Sequence, residues 1–210
     1  MPNVAVLTND LQYGLLDDFI NKTENGREFI AQAIPPFARF LDAIRSLGHV
    51  VAHCQLIHDP DDPQVQRRYR NVSSGIPVLR GTPGTEVIRE LVRPSDLIVE
   101  KSRDSGFYDT VLDDKLQELG VKTVVVTGIS TQICVQTTAA DAFFRGYKVW
   151  VPEDCVFSLT EEDKVRSLEW MKSYCAVVCS AAELLQRLQM DDDLPAREEL
   201  LAEAAAARVA

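Results

Sequence analysis

Hydrophobic positions along this chain gather into short continuous runs, separated by longer stretches in which apolar and polar residues alternate at helical spacing. Residues 3–8 (NVAVLT), 49–56 (HVVAHCQL), 96–100 (DLIVE), 123–127 (TVVVT), 148–151 and 175–178 are short and rich in β-branched residues, so they predict strands buried on both faces. Between them, Phe37, Phe40, Leu41, Ile44 and Leu47 form one apolar stripe closed by Gly48. Proline suits a first helical turn and not an interior, so this helix is expected to start near Pro36. Residues 86–91, 111–119, 133–144, 161–172 and 180–188 predict further helices, with Ser180 capping the last. Residues 13–27 carry too little periodicity and read as loop, and residues 58–75 read as a polar surface excursion suited to bordering a pocket. Strands alternating with helices imply parallel β-α-β units: an α/β domain with a mostly parallel six-stranded sheet and helices on both faces. That domain is expected over residues 1–190. A helical tail follows over residues 191–210, with Asp193 as its cap, Pro195 in its first turn and a thin stripe of Leu194, Leu201 and alanines.

Chemistry enters at the ends of the strands. In residues 123–141 (TVVVTGISTQICVQTTAAD) a strand breaks at Gly128 and a helix begins near Cys134. A thiol at a helix N-terminus sits where free N–H groups and the helix dipole favour an anion, so a lowered thiol pKa is expected. A buried structural cysteine fits this stretch equally well. Asp10 follows the first strand and Lys101 the third, and in open α/β sheets ligands bind beyond those carboxyl ends. Asp10 as a turn cap and Lys101 in a surface ion pair are the structural alternatives. Together, a thiol, a carboxylate and an ammonium group make a coherent nucleophile site: Lys101 stabilises the thiolate and Asp10 shuttles its proton.

Composition narrows the classes. The chain has 210 residues, 46% hydrophobic, with a formal net charge of -10, which disfavours nucleic acid and anionic membranes as partners. Neither a bilayer-length apolar stretch nor a signal-like start is present, so a cytoplasmic protein is expected. Five cysteines, with no C-x-x-C pair, suggest reduced thiols. No G-x-G-x-x-G or Walker pattern supports a nucleotide-binding module.

Several ordered segments carry a resemblance: Asp10-Leu11-Gln12, Gly81-Thr82-Pro83-Gly84, Glu100-Lys101-Ser102-Arg103 through Phe107, and Gly128 through Thr131 with Cys134-Val135, followed by Thr138, Asp141 and Ala142. Over roughly residues 4–188 the sequence resembles the isochorismatase-like cysteine hydrolases, which include nicotinamidases, N-carbamoylsarcosine amidases, and ureidoacrylate and biuret amidohydrolases. The resemblance implies a doubly wound, Rossmann-like three-layer fold. It also implies hydrolysis of a small amide or carbamoyl compound, with Cys134 as nucleophile, Asp10 as general acid/base and Lys101 completing the triad. It implies a cis peptide at Ile129–Ser130, an oxyanion hole from the Ser130 and Cys134 N–H groups, no organic cofactor, and a homo-oligomer, dimer or tetramer. Gln12, Tyr13, Arg103, Phe107, Tyr108 and Thr131 are candidate substrate contacts, with Arg103 suited to a carboxylate or else to a structural pair with Asp104 or Asp109. Family nicotinamidases carry an Asp-x-His metal pattern that is missing from His53-Cys54-Gln55-Leu56-Ile57-His58, so no metal is expected. His53 then reads as a strand residue and His58 as a surface histidine. A catalytically idle scaffold and a vinyl-ether hydrolase of the isochorismatase type are the alternative functions, and Cys134 argues against the second.

Overall fold

The computed structural model describes residues 3–22, 26–72, 75–190 and 193–207. In chain order, β1 (Val4–Asn9) is followed by α1 (Tyr13–Lys22), α2 (Gly26–Ser46) and β2 (Val50–Leu56). Then come α3 (Pro63–Tyr69), a 3-10 turn at Pro83–Thr85, β3 (Leu97–Lys101), α4 (Leu112–Glu118) and β4 (Thr123–Ile129). One π-helical turn, Thr131–Val135, runs into α5 (Gln136–Phe144), and β5 (Lys148–Pro152), β6 (Val156–Phe157) and α6 (Glu161–Tyr174) follow. The described chain ends with β7 (Val177–Cys179), α7 (Ala181–Gln189) and α8 (Arg197–Ala207).

Among the described residues the sheet has seven strands, in the order β3-β2-β1-β4-β5-β7 with β6 against β4. Every strand pairing is parallel. The strand beyond the expected six is β6, whose two residues are too few to show a period. Along β1 the side chains alternate between two cores, as a period of two requires. Val4 and Val6 join Phe37, Phe40, Leu41 and Ile44 of α2 and Leu184 and Leu188 of α7. Ala5 and Leu7 join Leu112 and Leu116 of α4, Ala139 and Ala142 of α5, and Leu168 and Met171 of α6. Each large buried side chain contributes about 1.5–3 kcal/mol, so these two layers hold the helices to both faces. The chain winds outward from β1 through β2 to β3, then returns to β4 on the other side of β1. The carboxyl ends of β1 and β4 therefore flank the switch point at which such sheets bind ligands.

Three local expectations fail for identifiable reasons. Residues 13–22 are helical because Leu16 and Phe19 bury one face of α1, a stripe too short to register, with Gly14 in its first turn. Helix α2 runs through Pro35 and Pro36. The carbonyls that lose their partners belong to Ala31 and Gln32, which are exposed and open to water, while the buried stripe beyond anchors the helix. Residues 86–91 are not helical: their hydrogen bonds go sideways, Ile88 N–H to Leu11 O and Tyr13 N–H to Glu86 O, with Val87 bridging Gln12.

The tail is anchored by Leu194, which is buried, and by Pro195, whose carbonyl accepts from Trp150 Nε1 at 3.0 Å. Its helix begins at Arg197, later than expected, and the Ala196 N–H is capped by Glu199 rather than by Asp193. No residue of α8 is buried, and residues 208–210 of the expected tail lie outside the described residues. Among the described residues no helix is long and apolar enough to cross a membrane.

Candidate active site

Three strand ends build the site. Asp10 leaves β1 with a positive φ of 59°, a conformation that few non-glycine residues adopt, and its N–H bonds Cys54 O. Lys101 is the last residue of β3, and its Nζ donates to Asp10 Oδ2 at 3.0 Å and to the Asp104 carbonyl at 2.9 Å. Cys134 stands in the π-helical turn after β4, an irregularity common at functional sites. The turn is reached through Gly128, where β4 presses on β1: a Cβ there would lie 2.1 Å from Asn9 O. The Ile129–Ser130 peptide is cis, and the Ser130 carbonyl accepts from the Ile133 and Val135 N–H groups.

Behind the site, α5 fixes the loop after β3. Thr138 Oγ1 donates to Asn9 Oδ1 and accepts from the Gly106 N–H, while Ser105 donates to Asp141. Polar residues from β1, the β3 loop and α5 are thus tied together at the sheet edge.

Asp10, Lys101 and Cys134 are all nearly inaccessible. Burial raises the Asp10 carboxyl above its usual range, with Lys101 and the Cys134 thiol working against that rise. Burial works to lower the Lys101 ammonium, but the Asp10 carboxylate and the Cys134 sulfur hold it above an ordinary lysine. The Cys134 thiol is pushed well above a free cysteine, by burial first and by the Asp10 charge second. The expected lowering of its pKa therefore does not occur. The helix end and lysine are present, but so are two carboxylates, since Asp104 Oδ1 also lies 3.8 Å from Sγ. Burial and the two carboxylates thus favour a neutral Cys134 thiol. Asp10 Oδ1 is buried without a hydrogen-bond partner.

A cavity of about 310 Å³ opens onto Asp10 and Cys134. Leu15 and Phe19 of α1, Leu56, Pro77, Ile129, Ile133 and Leu159 give it apolar walls, and Asp18, Lys22, Arg68, Tyr69, Asp104 and Ser130 give it polar ones. A wider, open hollow of about 800 Å³ between Tyr13 and Arg93 contains none of the three residues.

None of the six candidate substrate contacts lines the cavity at Asp10 and Cys134. Gln12 is fully buried, and its amide serves backbone groups of Leu56 and Thr85. Tyr13 lines the open hollow, and its hydroxyl accepts from the Arg89 N–H. Phe107 is in the core, stacked on Tyr147, and Tyr108 is exposed outside the cavity. Arg103 is paired with Asp62 at 2.7 Å, a structural pair but with neither of the aspartates expected. Thr131 is buried next to the site, caps nothing and leaves its hydroxyl unpartnered.

Sequence reasoning missed the groups that do line the cavity, from α1, α3 and Asp104. The available signal was the arginine pair Arg67-Arg68 followed by Tyr69, within the stretch read as bordering a pocket.

The histidines do not assemble a metal site. His53 is a strand residue, held between Thr8 Oγ1 at 2.7 Å and Asp96 Oδ2 at 3.1 Å. His58 is buried rather than on the surface, bonded to the Tyr69 hydroxyl, and pushed down to about 4 by burial and by Arg68. Its Nδ1 has no partner, yet among the described residues no group of three His, Cys, Asp or Glu side chains is placed to hold a metal ion.

Comparison with known proteins adds to this geometry. The family model described as "Isochorismatase domain" matches residues 4–183. Nicotinamidase 3 of Arabidopsis thaliana is 38% identical over 92 residues, which are 42% of this chain and 46% of that protein. The ureidoacrylate amidohydrolase RutB of Variovorax paradoxus (strain S110) is 37% identical over 173 residues, covering 74% of this chain and 69% of RutB. The chain thus spans about half the length of the plant relative and about two thirds of the bacterial one. A crystal structure of a cysteine hydrolase from Pseudomonas syringae pv. phaseolicola 1448A superposes with a TM-score of 0.78 at 27% identity, covering 90% of this chain and 93% of that one.

Proposed function

Since the chain belongs to the isochorismatase family, we propose that it is a cysteine-dependent amidohydrolase acting on a small amide or carbamoyl compound. Relatives named as amide hydrolases support amide hydrolysis in general. The observation that carries the cysteine mechanism is the meeting of Asp10, Lys101 and Cys134 at the carboxyl edge of the sheet, with Asp10 and Cys134 on a cavity.

In this mechanism the Cys134 sulfur attacks the substrate carbonyl as its proton passes to Asp10 Oδ1. Raised by burial, Asp10 is a stronger base than an exposed aspartate, and Lys101 favours its ionised form. The tetrahedral oxyanion is held by the Ser130 and Cys134 amides. Collapse breaks the C–N bond, and the proton on Asp10 leaves with ammonia or an amine. Water then attacks the thioester, gives one proton to Asp10, and the returning proton restores the thiol as the C–S bond breaks. Lys101 stays cationic throughout and balances the charge that moves between Asp10 and the sulfur.

The test is ammonia release from biuret, ureidoacrylate, N-carbamoyl amino acids, maleamate and nicotinamide, each beside Cys134→Ala. Turnover of at least one compound that vanishes in the variant is expected. Turnover that survives the substitution refutes the mechanism.

A further inference from the structure

Two cations line the cavity, Lys22 and Arg68, and the first is matched by Asp18 at 2.6 Å. Arg68 differs. Among the described residues its guanidinium makes a single hydrogen bond, Nη1 to Asp104 Oδ1, and that bond is long at 3.3 Å. Its carbon lies 5.9 Å from the centre of the Tyr69 ring, and its side chain remains 45% exposed on the cavity. A guanidinium has five donors in a planar fork, so the edge formed by Nε and Nη2 is unused.

Asp104 ties this arginine to the reacting atoms. Its backbone carbonyl receives Lys101 Nζ, and its carboxylate holds Arg68. Arg68 Nη1 is at most ~7 Å from the Cys134 sulfur, because Asp104 Oδ1 is 3.8 Å from one and 3.3 Å from the other.

We propose that the free edge of Arg68 is a subsite for a substrate carboxylate, and that the preferred substrates are short acids with the scissile amide a few bonds from that carboxylate. Half-amides of dicarboxylic acids and ureido acids have this form. The inference rests on the amidohydrolase reading and specifies its substrate. A side-on pair of N–H···O bonds fixes both the charge and the plane of the carboxylate. Asp104 acts as a positioning residue that holds the fork at the cavity, and of the two lining cations Arg68 is the one within reach of the thiol through Asp104, while Lys22 is taken by Asp18. Arg103, the arginine that the sequence suggested for this task, is occupied by Asp62.

The test compares succinamate, maleamate and N-carbamoylglycine with their methyl esters, as kcat/KM for ammonia release by wild type, Arg68→Met and Arg68→Lys. Wild type is expected to prefer the acid by about 10- to 100-fold, mostly through KM. Arg68→Met brings the acid-to-ester ratio near one, and Arg68→Lys keeps part of it. A second measurement needs no turnover: succinate slows alkylation of Cys134 in wild type, does so less in Arg68→Met, and dimethyl succinate slows it in neither. Equal handling of acid and ester by wild type, a ratio unmoved by Arg68→Met, or no protection by succinate overturns the proposal. Cys134→Ala separates the two readings, because turnover that survives it sinks the cysteine mechanism while the acid-to-ester ratio still reports on Arg68.

Discussion

Replacing Lys101 by Met deletes a charge from an ion pair that is buried on both sides. The side chains of Lys101 and Asp10 are 0% and 2% exposed, so water cannot take over the lost contacts. Met fills most of the volume but leaves two acceptors unserved, Asp10 Oδ2 and the Asp104 carbonyl. Removing one partner of a buried pair costs about 3–5 kcal/mol. The cost depends on pH in a calculable direction. Asp10 is already raised by burial, and loss of the lysine raises it further, so the native variant holds a proton that the unfolded chain, titrating near 3.9, has released. Native protein then binds more protons than unfolded, and stability falls by about 1.4 kcal/mol per pH unit until the folded pKa is passed. Lys101 in wild type is raised, so its own contribution stays in force below about 10.4 and is flat across neutral pH. Wild-type Asp10 is itself raised, so both proteins lose stability as pH climbs past about 3.9, and the variant goes on losing it after wild type has levelled off. The gap between them should therefore open with rising pH, toward about 3–5 kcal/mol at pH 8, and be smaller at pH 5. Urea unfolding at both pH values measures it. A gap below about 1 kcal/mol at pH 8, or one equal at both values, would refute the pairing.

Other outcomes follow from particular contacts. Because burial and two carboxylates keep the Cys134 thiol protonated, its alkylation by iodoacetamide should be slow at pH 7 and climb through the alkaline range; a rate already flat below pH 7 would mean a preformed thiolate. Gly128→Ala places a Cβ against Asn9 backbone at a φ of 108°, and a loss above about 3 kcal/mol is expected in chemical denaturation. In the tail, Leu194→Ala should cost about 2–5 kcal/mol and Leu201→Ala less than about 0.5, since only the first is buried; equal effects would mean that the helix packs along its length.

Much of this architecture is written in short-range pattern. The strands that carry Asp10, Lys101 and Cys134 are β-branched runs bounded by turn residues, and a parallel sheet collects their carboxyl ends on one edge whatever their distance in sequence. What escaped depends on tertiary partners. Residues 86–91 have the composition of a helix, but their backbone groups pair with residues 11–13. The cavity wall draws on α1, α3 and Asp104, segments whose own periodicity says nothing about the space that they enclose. The sign of the thiol shift was inaccessible for the same reason: the helix end and lysine are visible in sequence, while complete burial and a second carboxylate from Asp104 are not.

The central claim is that Cys134 carries the acyl group of the substrate. Acid-quenched turnover of the best substrate from the ammonia-release screen, followed by intact mass and peptide mapping, tests it most directly. The account predicts a transient mass increase equal to the acyl fragment, on the peptide that contains Cys134, labile to hydroxylamine and missing in Cys134→Ala. Steady turnover with no adduct at any quench time, together with activity retained in Cys134→Ala, would contradict it.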